Sequence, residues 1–165
     1  MVALEVRRLE PHEWEVLRHL RLEALRDAPG AFASTVAREV EFSADIWAQR
    51  TATSAIALLG DEPVGLVGWY RPDESRTQVE LVSMWVRADA RGMGAAALLV
   101  ELVVTDAVEA PEDRVVLGVV VDNARARRFY ERMGFVETGA EIGEHTGQAL
   151  IRMAYAPPTL PGSPP

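Results

Sequence analysis

Apolar residues recur along this chain with a period that switches between two and about 3.6, and each switch marks an element. Residues 2–9 read as a first strand. Pro11 then opens a helix expected to run to about Asp27, because Val16, Leu17, Leu20 and Ala24 recur on one helical face. Pro29 and Gly30 stop it. Residues 29–42 hold no period and predict an irregular connection, after which Ser43 can cap a second helix containing Ile46 and Trp47. Two apolar runs, 55–59 and 64–70, flank a Gly-Asp turn and predict a hairpin. Residues 71–75 form another turn, and Gln78–Val86 a long strand.

The second half repeats the alternation. After a polar loop, 87–91, and a glycine-rich turn, Ala95, Leu98, Leu99, Leu102 and Val103 form the stripe of a strong helix. Residues 114–121 are almost continuously apolar, as in a strand covered on both faces. Asn123 can cap a helix that ends near Gly134, a residue suited to the turn past a helix end. Strands follow at 135–138 and Ala149–Tyr155. The sum is an α/β (α+β) domain with a mixed central sheet of six to seven strands and about four flanking helices. One domain is expected over residues 1–155, with a flexible proline-rich tail at 156–165 that has no core of its own.

The chemistry concentrates where the Gln78–Val86 strand runs through Arg91-Gly92-Met93-Gly94-Ala95-Ala96 into a helix. Glycines let backbone approach a ligand closely, and the first N–H groups of a helix lack partners and sit at the positive end of its dipole. A phosphate or pyrophosphate satisfies both features. Gly92, Gly94 and Ala97 also fit a dinucleotide-binding spacing, with Asp122 as its acid. Three facts weigh against that reading. Several polar residues separate the glycines from their strand, Asp122 lies too far downstream, and too little chain remains after it for a doubly wound domain.

Composition narrows the classes further. The chain has 165 residues, 48% of them hydrophobic, and no apolar run of the ~20 residues a membrane span needs. No signal-peptide core is visible at the start, so a cytoplasmic protein is expected. Cysteine is absent, which removes disulfides, thiolate metal sites and a cysteine nucleophile. A net charge of −8 argues against nucleic acid as a partner and weakly favours a cationic ligand. All 17 basic residues are arginine, with Arg125, Arg127 and Arg128 close to the expected anion site. His12, His19 and His145 are not spaced as metal ligands, and no metal site is expected.

Two stretches together resemble the GCN5-related N-acetyltransferase (GNAT) superfamily. In the first, Val86, Arg91, Gly92, Gly94, Leu98 and Leu99 fall on the family's strand–turn–helix signature. Asp89 departs from it, standing where the family usually has glutamine or arginine. In the second, Asn123, Ala126, Phe129, Tyr130, Gly134 and Phe135 match the family's fifth strand and following helix. The resemblance covers about residues 2–155. It implies transfer of acetyl from acetyl-coenzyme A to a small-molecule or peptide amine, by direct attack in a ternary complex. An acyl-CoA-binding sensor without catalysis is the alternative.

The resemblance also implies roles. Tyr130 becomes the general acid for the departing thiolate and Glu80 the candidate base, with Ser83 helping to hold a water. The glutamate that other members carry after the leucine of the fifth strand is absent, Gly118 taking its place. Backbone groups of Met84 and Val86 are expected to pair with the pantetheine arm. Arg91, Gly92, Met93, Gly94, Ala95 and Ala96 would hold the pyrophosphate, Asn123 would touch the arm or cap its helix, and Arg127 would approach the 3′-phosphate. Phe32 is the best candidate for the acceptor pocket, with Trp47, Trp69, Trp85 and Tyr70 weaker ones. A homodimer is expected, since late strands often join members of the family.

Overall fold

The computed structural model describes residues 1–72, 74–144 and 146–157. Seven strands form one sheet: β1 (Leu4–Arg8), β2 (Ser54–Leu59), β3 (Glu62–Tyr70), β4 (Gln78–Val86), β5 (Arg114–Val120), β6 (Phe135–Ile142) and β7 (Ala149–Tyr155). Their spatial order is β1-β2-β3-β4-β5-β7-β6, and every neighbouring pair is antiparallel except β4 with β5. Five helices flank it: α1 (Trp14–Asp27), α2 (Val36–Glu39), α3 (Ala44–Thr51), α4 (Ala95–Asp106) and α5 (Ala124–Arg132).

The pleat sorts apolar residues to two faces. On one, Ala55, Ala57, Val64 and Val67 meet the α4 residues Leu99, Val100 and Val103, and α5 adds Tyr130. On the other, Ile56, Leu66 and Trp85 meet Leu17, Leu20 and Ala24 of α1 and Trp47 of α3. Each fully buried aliphatic side chain here contributes roughly 1.5–3 kcal/mol. The caps read from the sequence are in place. The Ser43 hydroxyl accepts from Ile46 N at 3.3 Å, and Asn123 Oδ1 accepts from Ala126 N at 3.1 Å.

Several boundaries differ from the sequence reading. The connection at 29–42 contains the single-turn helix α2, capped by Thr35, whose hydroxyl accepts from Arg38 N. No apolar period announces it because its inward residue is the charged Glu39, 2% exposed. Strand β6 runs to Ile142 rather than ending at Thr138, because pairing with β7 resumes after a register shift between Glu137 and Gly139. Its residues beyond Phe135 are exposed, so hydrophobicity could not report them. On α4, Val100 is buried while Leu98 and Leu102 are only partly so. Strand β5 is not covered throughout, since Gly118 is open on one side. The expected tail lies outside the described residues from position 158 on, and His145 does too.

Register alone creates the opening that matters. Strand β4 pairs with β5 only through Gln78–Arg114, Val79–Val115 and Glu80–Val116. Beyond those pairs β5 continues against β7 while β4 continues against β3, so the two strands part. On the β3 side, Leu66 faces Trp85 and Gly68 faces Val82, leaving Ser83 and Met84 opposite the single residue Val67. This is a bulge, and Ser83 sits in it with φ of 59°, the left-handed region that costs a non-glycine residue roughly 1–2 kcal/mol. Ser83→Val is therefore expected to lower stability by about 1–2 kcal/mol, and Ser83→Gly to leave it unchanged or raise it. Urea unfolding of the three proteins checks both signs.

Candidate acceptor cleft and anion cradle

At the far end of β4 the chain makes the glycine turn that the sequence suggested. Gly92 and Gly94 have φ of 81° and 94°, and a Cβ at either would meet nothing within 4 Å. The turn is thus open, and its glycines answer a backbone requirement rather than a packing one. The first α4 hydrogen bond runs from Leu98 N to Gly94 O, which leaves the N–H groups of Ala95, Ala96 and Ala97 without a helical partner. No acidic residue stands in the first turn of α4. These features suit an anion.

The arginine of this turn does not itself point at the anion site. Arg91 Nε donates to Val86 O at 2.8 Å, and its Nη2 donates to Asp27 Oδ2 at 2.7 Å. Asp27 also accepts from Trp85 Nε1 at 2.9 Å. These bonds hold the Asp27 carboxyl below the usual carboxylate range, the Trp85 bond first and Arg91 second. The end of α1 is thereby tied to the end of β4 and to the turn, a link no local sequence pattern announced. Asp89, the departure from the family signature, faces Arg87 at 2.7 Å, and Arg87 also reaches Glu62 at 2.7 Å. Arg125, Arg127, Arg128 and Arg132 pair with no carboxylate among the described residues, unlike most other arginines of the chain.

On the other side of the parting strands lies a cleft of about 970 Å³. It is lined by Phe32, Tyr70, Glu80 and Ser83, all named from the sequence, and by Gly118 and Arg152. Trp47, Trp69 and Trp85 do not join them, being 0%, 7% and 6% exposed in the two cores. The turn between β6 and β7 meets the loop after α1 at one point, where Gln148 Nε2 donates to Gly30 O at 3.2 Å.

Glu80 is in the cleft wall with a partner the sequence did not predict. Arg152 of β7 donates to both of its oxygens, at 2.6 and 2.7 Å. Between them runs β5, and the residue of β5 directly opposite Arg152 is Gly118. A Cβ on Gly118 would stand 3.1 Å from Arg152 Nη1. The missing side chain at 118 is what lets the guanidinium cross β5 to reach β4. Tyr70, which pairs with Glu80 across β3 and β4, has its phenol pushed up by burial and then by the Glu80 charge.

Tyr130 lies outside the cleft lining, on α5, 7% exposed. It packs edge-on against Phe129 and Phe135, at ring distances of 5.1 and 5.5 Å. Burial alone moves its phenol, well upward, so the group stays protonated at neutral pH. Met84 and Leu117 belong to the same apolar cluster.

A buried ion triad closes the cleft's helical side. Glu39, 2% exposed, accepts from Arg21 Nη2 at 2.9 Å and from Arg50 Nη1 at 3.0 Å. Burial pushes the Glu39 carboxyl up, but the bonds and charges of Arg21 and Arg50 outweigh it and leave the group below its ordinary 4.5. A carboxyl depressed on folding stabilises the protein above its unfolded pKa, and that contribution fades as pH falls toward the folded value. Stability is therefore expected to fall as pH drops below about 4.5. Glu13, drawn down to about 2 chiefly by its bonds to Arg7, extends the loss to lower pH. Glu39→Gln is expected to cost about 3–5 kcal/mol at pH 7 and to make the acid limb shallower. Urea unfolding at several pH values reads both effects.

The model of the acetyltransferase (GNAT) family matches residues 14–135. A search of curated proteins finds no significant match. Among solved structures, an acetyltransferase of the GNAT family from Streptococcus pneumoniae superposes with a TM-score of 0.72 at 19% identity, covering 92% of this chain and 98% of that one. A ribosomal-protein-alanine N-acetyltransferase from Brucella melitensis gives 0.68 at 21%, covering 91% and 98%. A spermidine N-acetyltransferase from Vibrio cholerae, in complex with CoA and spermine, gives 0.70 at 19%, covering 92% and 94%. At such identities the likeness is one of fold.

Proposed function

The chain belongs to the acetyltransferase (GNAT) family, and we propose that it is an N-acetyltransferase that moves acetyl from acetyl-coenzyme A to a primary amine by direct attack in a ternary complex. The observation that carries this is the parting of β4 from β5 between an open glycine cradle at one end and a polar cleft on the other side. Solved structures of similar fold include one holding CoA with a polyamine, which agrees with this use of the fold.

The residues present fit coenzyme A. The backbone of Gly92, Met93, Gly94, Ala95 and Ala96 takes the pyrophosphate, with Arg91 bracing the turn through Asp27. Val86 stands opposite Gly65, and Arg87 N bonds Val64 O next to it. Alternation in an antiparallel pair then turns the Val86 N–H away from β3, toward the gap. That group and the bulged Met84 face the pantetheine arm. Arg127, without a carboxylate partner, takes the 3′-phosphate, and Asn123 serves chiefly as the cap of α5.

The acyl donor supplies a thioester, and the protein's task is to bring a neutral amine to it. A lysine-like amine with pKa near 10.4 is neutral in only roughly one molecule in a few thousand at pH 7. Glu80, an anion bound by Arg152 through both its oxygens, orients a water beside Ser83, and that water takes the surplus proton and passes it to solvent through the open cleft. Tyr130 donates to the departing sulfur. A thiol has pKa near 8.5, below that of the buried phenol, so the donation works as a hydrogen bond to developing thiolate rather than a completed transfer.

Thermal unfolding with acetyl-CoA, coenzyme A, NAD and ATP tests the assignment directly. Coenzyme A or acetyl-CoA at a hundred times its Kd is expected to add about 2.7 kcal/mol, and NAD nothing. Tyr130→Phe is expected to lower kcat by about 100-fold and leave coenzyme A affinity unchanged. Binding without turnover on any amine would instead mark an acyl-CoA sensor. The exposed edge strand β6, carrying Val136 and Ile142, is the surface we assign to a homodimer, and a monomer mass in light scattering would sink that part.

A further inference from the structure

The cleft is electrically two-sided. Its helical wall holds Arg21, Arg38 and Arg50 against the single carboxylate Glu39. Arg38 is exposed, lies 5.9 Å from the Phe42 ring and pairs with no carboxylate among the described residues. The opposite wall reverses the sign. There Glu80 and Glu141 share Arg152, and Glu74 and Glu144 add two further carboxylates. Arg71, also in the lining, spends its charge on Asp113 and Glu109.

A second observation points to what the helical wall binds. Arg21 is 6% exposed, and its Nη1 has no hydrogen-bond partner among the described residues although Nε and Nη2 both reach Glu39. The Ser34 hydroxyl, in the same lining, is also buried and without a partner among the described residues. Phe32 lies over the guanidinium, its ring centre 4.9 Å from the Arg21 guanidinium carbon. A buried guanidinium N–H and a buried hydroxyl, both left without a partner in one cleft lining, are the donors a carboxylate would satisfy. Phe32, which lies over the guanidinium, belongs to the irregular segment before α2 and not to a helix.

We propose that the acceptor is an amino-carboxylate: its amine lies toward Glu80 and the gap between β4 and β5, and its carboxylate toward Arg21, Arg38 and Ser34. This rests on reading the cleft as the acceptor site of the acetyltransferase. An all-cationic polyamine is disfavoured, because its far ammonium would meet the arginine wall. A plain alkylamine leaves the buried donors unmet.

Initial rates of thiol release from acetyl-CoA test the idea with glycine, β-alanine, γ-aminobutyrate and ε-aminocaproate, each beside the alkylamine of equal chain length, and with spermidine. At least one amino acid is expected to exceed its alkylamine about tenfold in kcat/KM, the chain length of the best one measuring the span of the cleft. Arg38→Gln, an exposed change, is expected to lower the amino-acid rate more than the alkylamine rate. Equal or better rates with alkylamines or spermidine, or an equal loss on both classes in the variant, would overturn the proposal. A binding arm separates this from failure of the enzymatic reading. With coenzyme A present, N-acetyl-γ-aminobutyrate is expected to raise the melting temperature and N-butylacetamide not to. Turnover of no amine at all would sink the transferase reading, while this arm would still decide the charge preference. Equal shifts from both acetamides would refute it.

Discussion

Everything functional here depends on one short ladder. The parallel contact of β4 with β5 ends after Glu80 and Val116, and the backbone of β4 beyond that point has no strand on its β5 side. In a closed sheet those N–H and C=O groups would be paired, and an open row of them in an interior is costly unless something takes their place. The proposed pantetheine arm, lying as an extra strand, would satisfy them, and the bulge at Ser83–Met84 would re-aim the groups that meet it. The left-handed Ser83 is strain that the neighbouring β3 pairing holds in place.

The rest of the structure braces that opening from both ends. Asp27 ties the end of α1 to Trp85 and Arg91, so the strand end, the glycine turn and the helix are joined through one carboxylate. At the other end Arg152 stitches β7 to β4 over the bare Gly118. Both ties are charge-assisted; the Arg152–Glu80 pair and the Trp85–Asp27 bond are partly buried, which makes them stronger than the exposed Arg91–Asp27 pair. Neither closes the gap.

How far the sequence carried depended on what each element hides. Strands β2–β5 and helices α1 and α4 were legible because their apolar periods answer to buried faces: Leu17, Leu20, Ile56, Leu66, Leu99 and Val103 are all nearly inaccessible. The glycine turn was legible because Gly92 and Gly94 meet a backbone requirement that few other residues satisfy. Helix α2 and the outer half of β6 were not, since Glu39 is buried by ion pairing and β6 is an exposed edge. The Asp27 tie and the Arg21–Glu39–Arg50 triad join residues far apart in the chain, and no spacing rule reports such pairs.

Gly118 shows the same limit from another side. Read along the chain, it was only a place where an expected glutamate was missing. In the fold it is the space through which Arg152 reaches Glu80, so one absence on β5 and one arginine on β7 are two halves of a single arrangement. A carboxylate at 118 would have met that guanidinium first and competed with Glu80 for it. With 118 bare, Arg152 binds both oxygens of Glu80 and lies 3.4 Å from Glu141. The negative charge of that wall stands opposite the arginines of the helical wall, and the proposed orientation of a dipolar acceptor rests on that opposition.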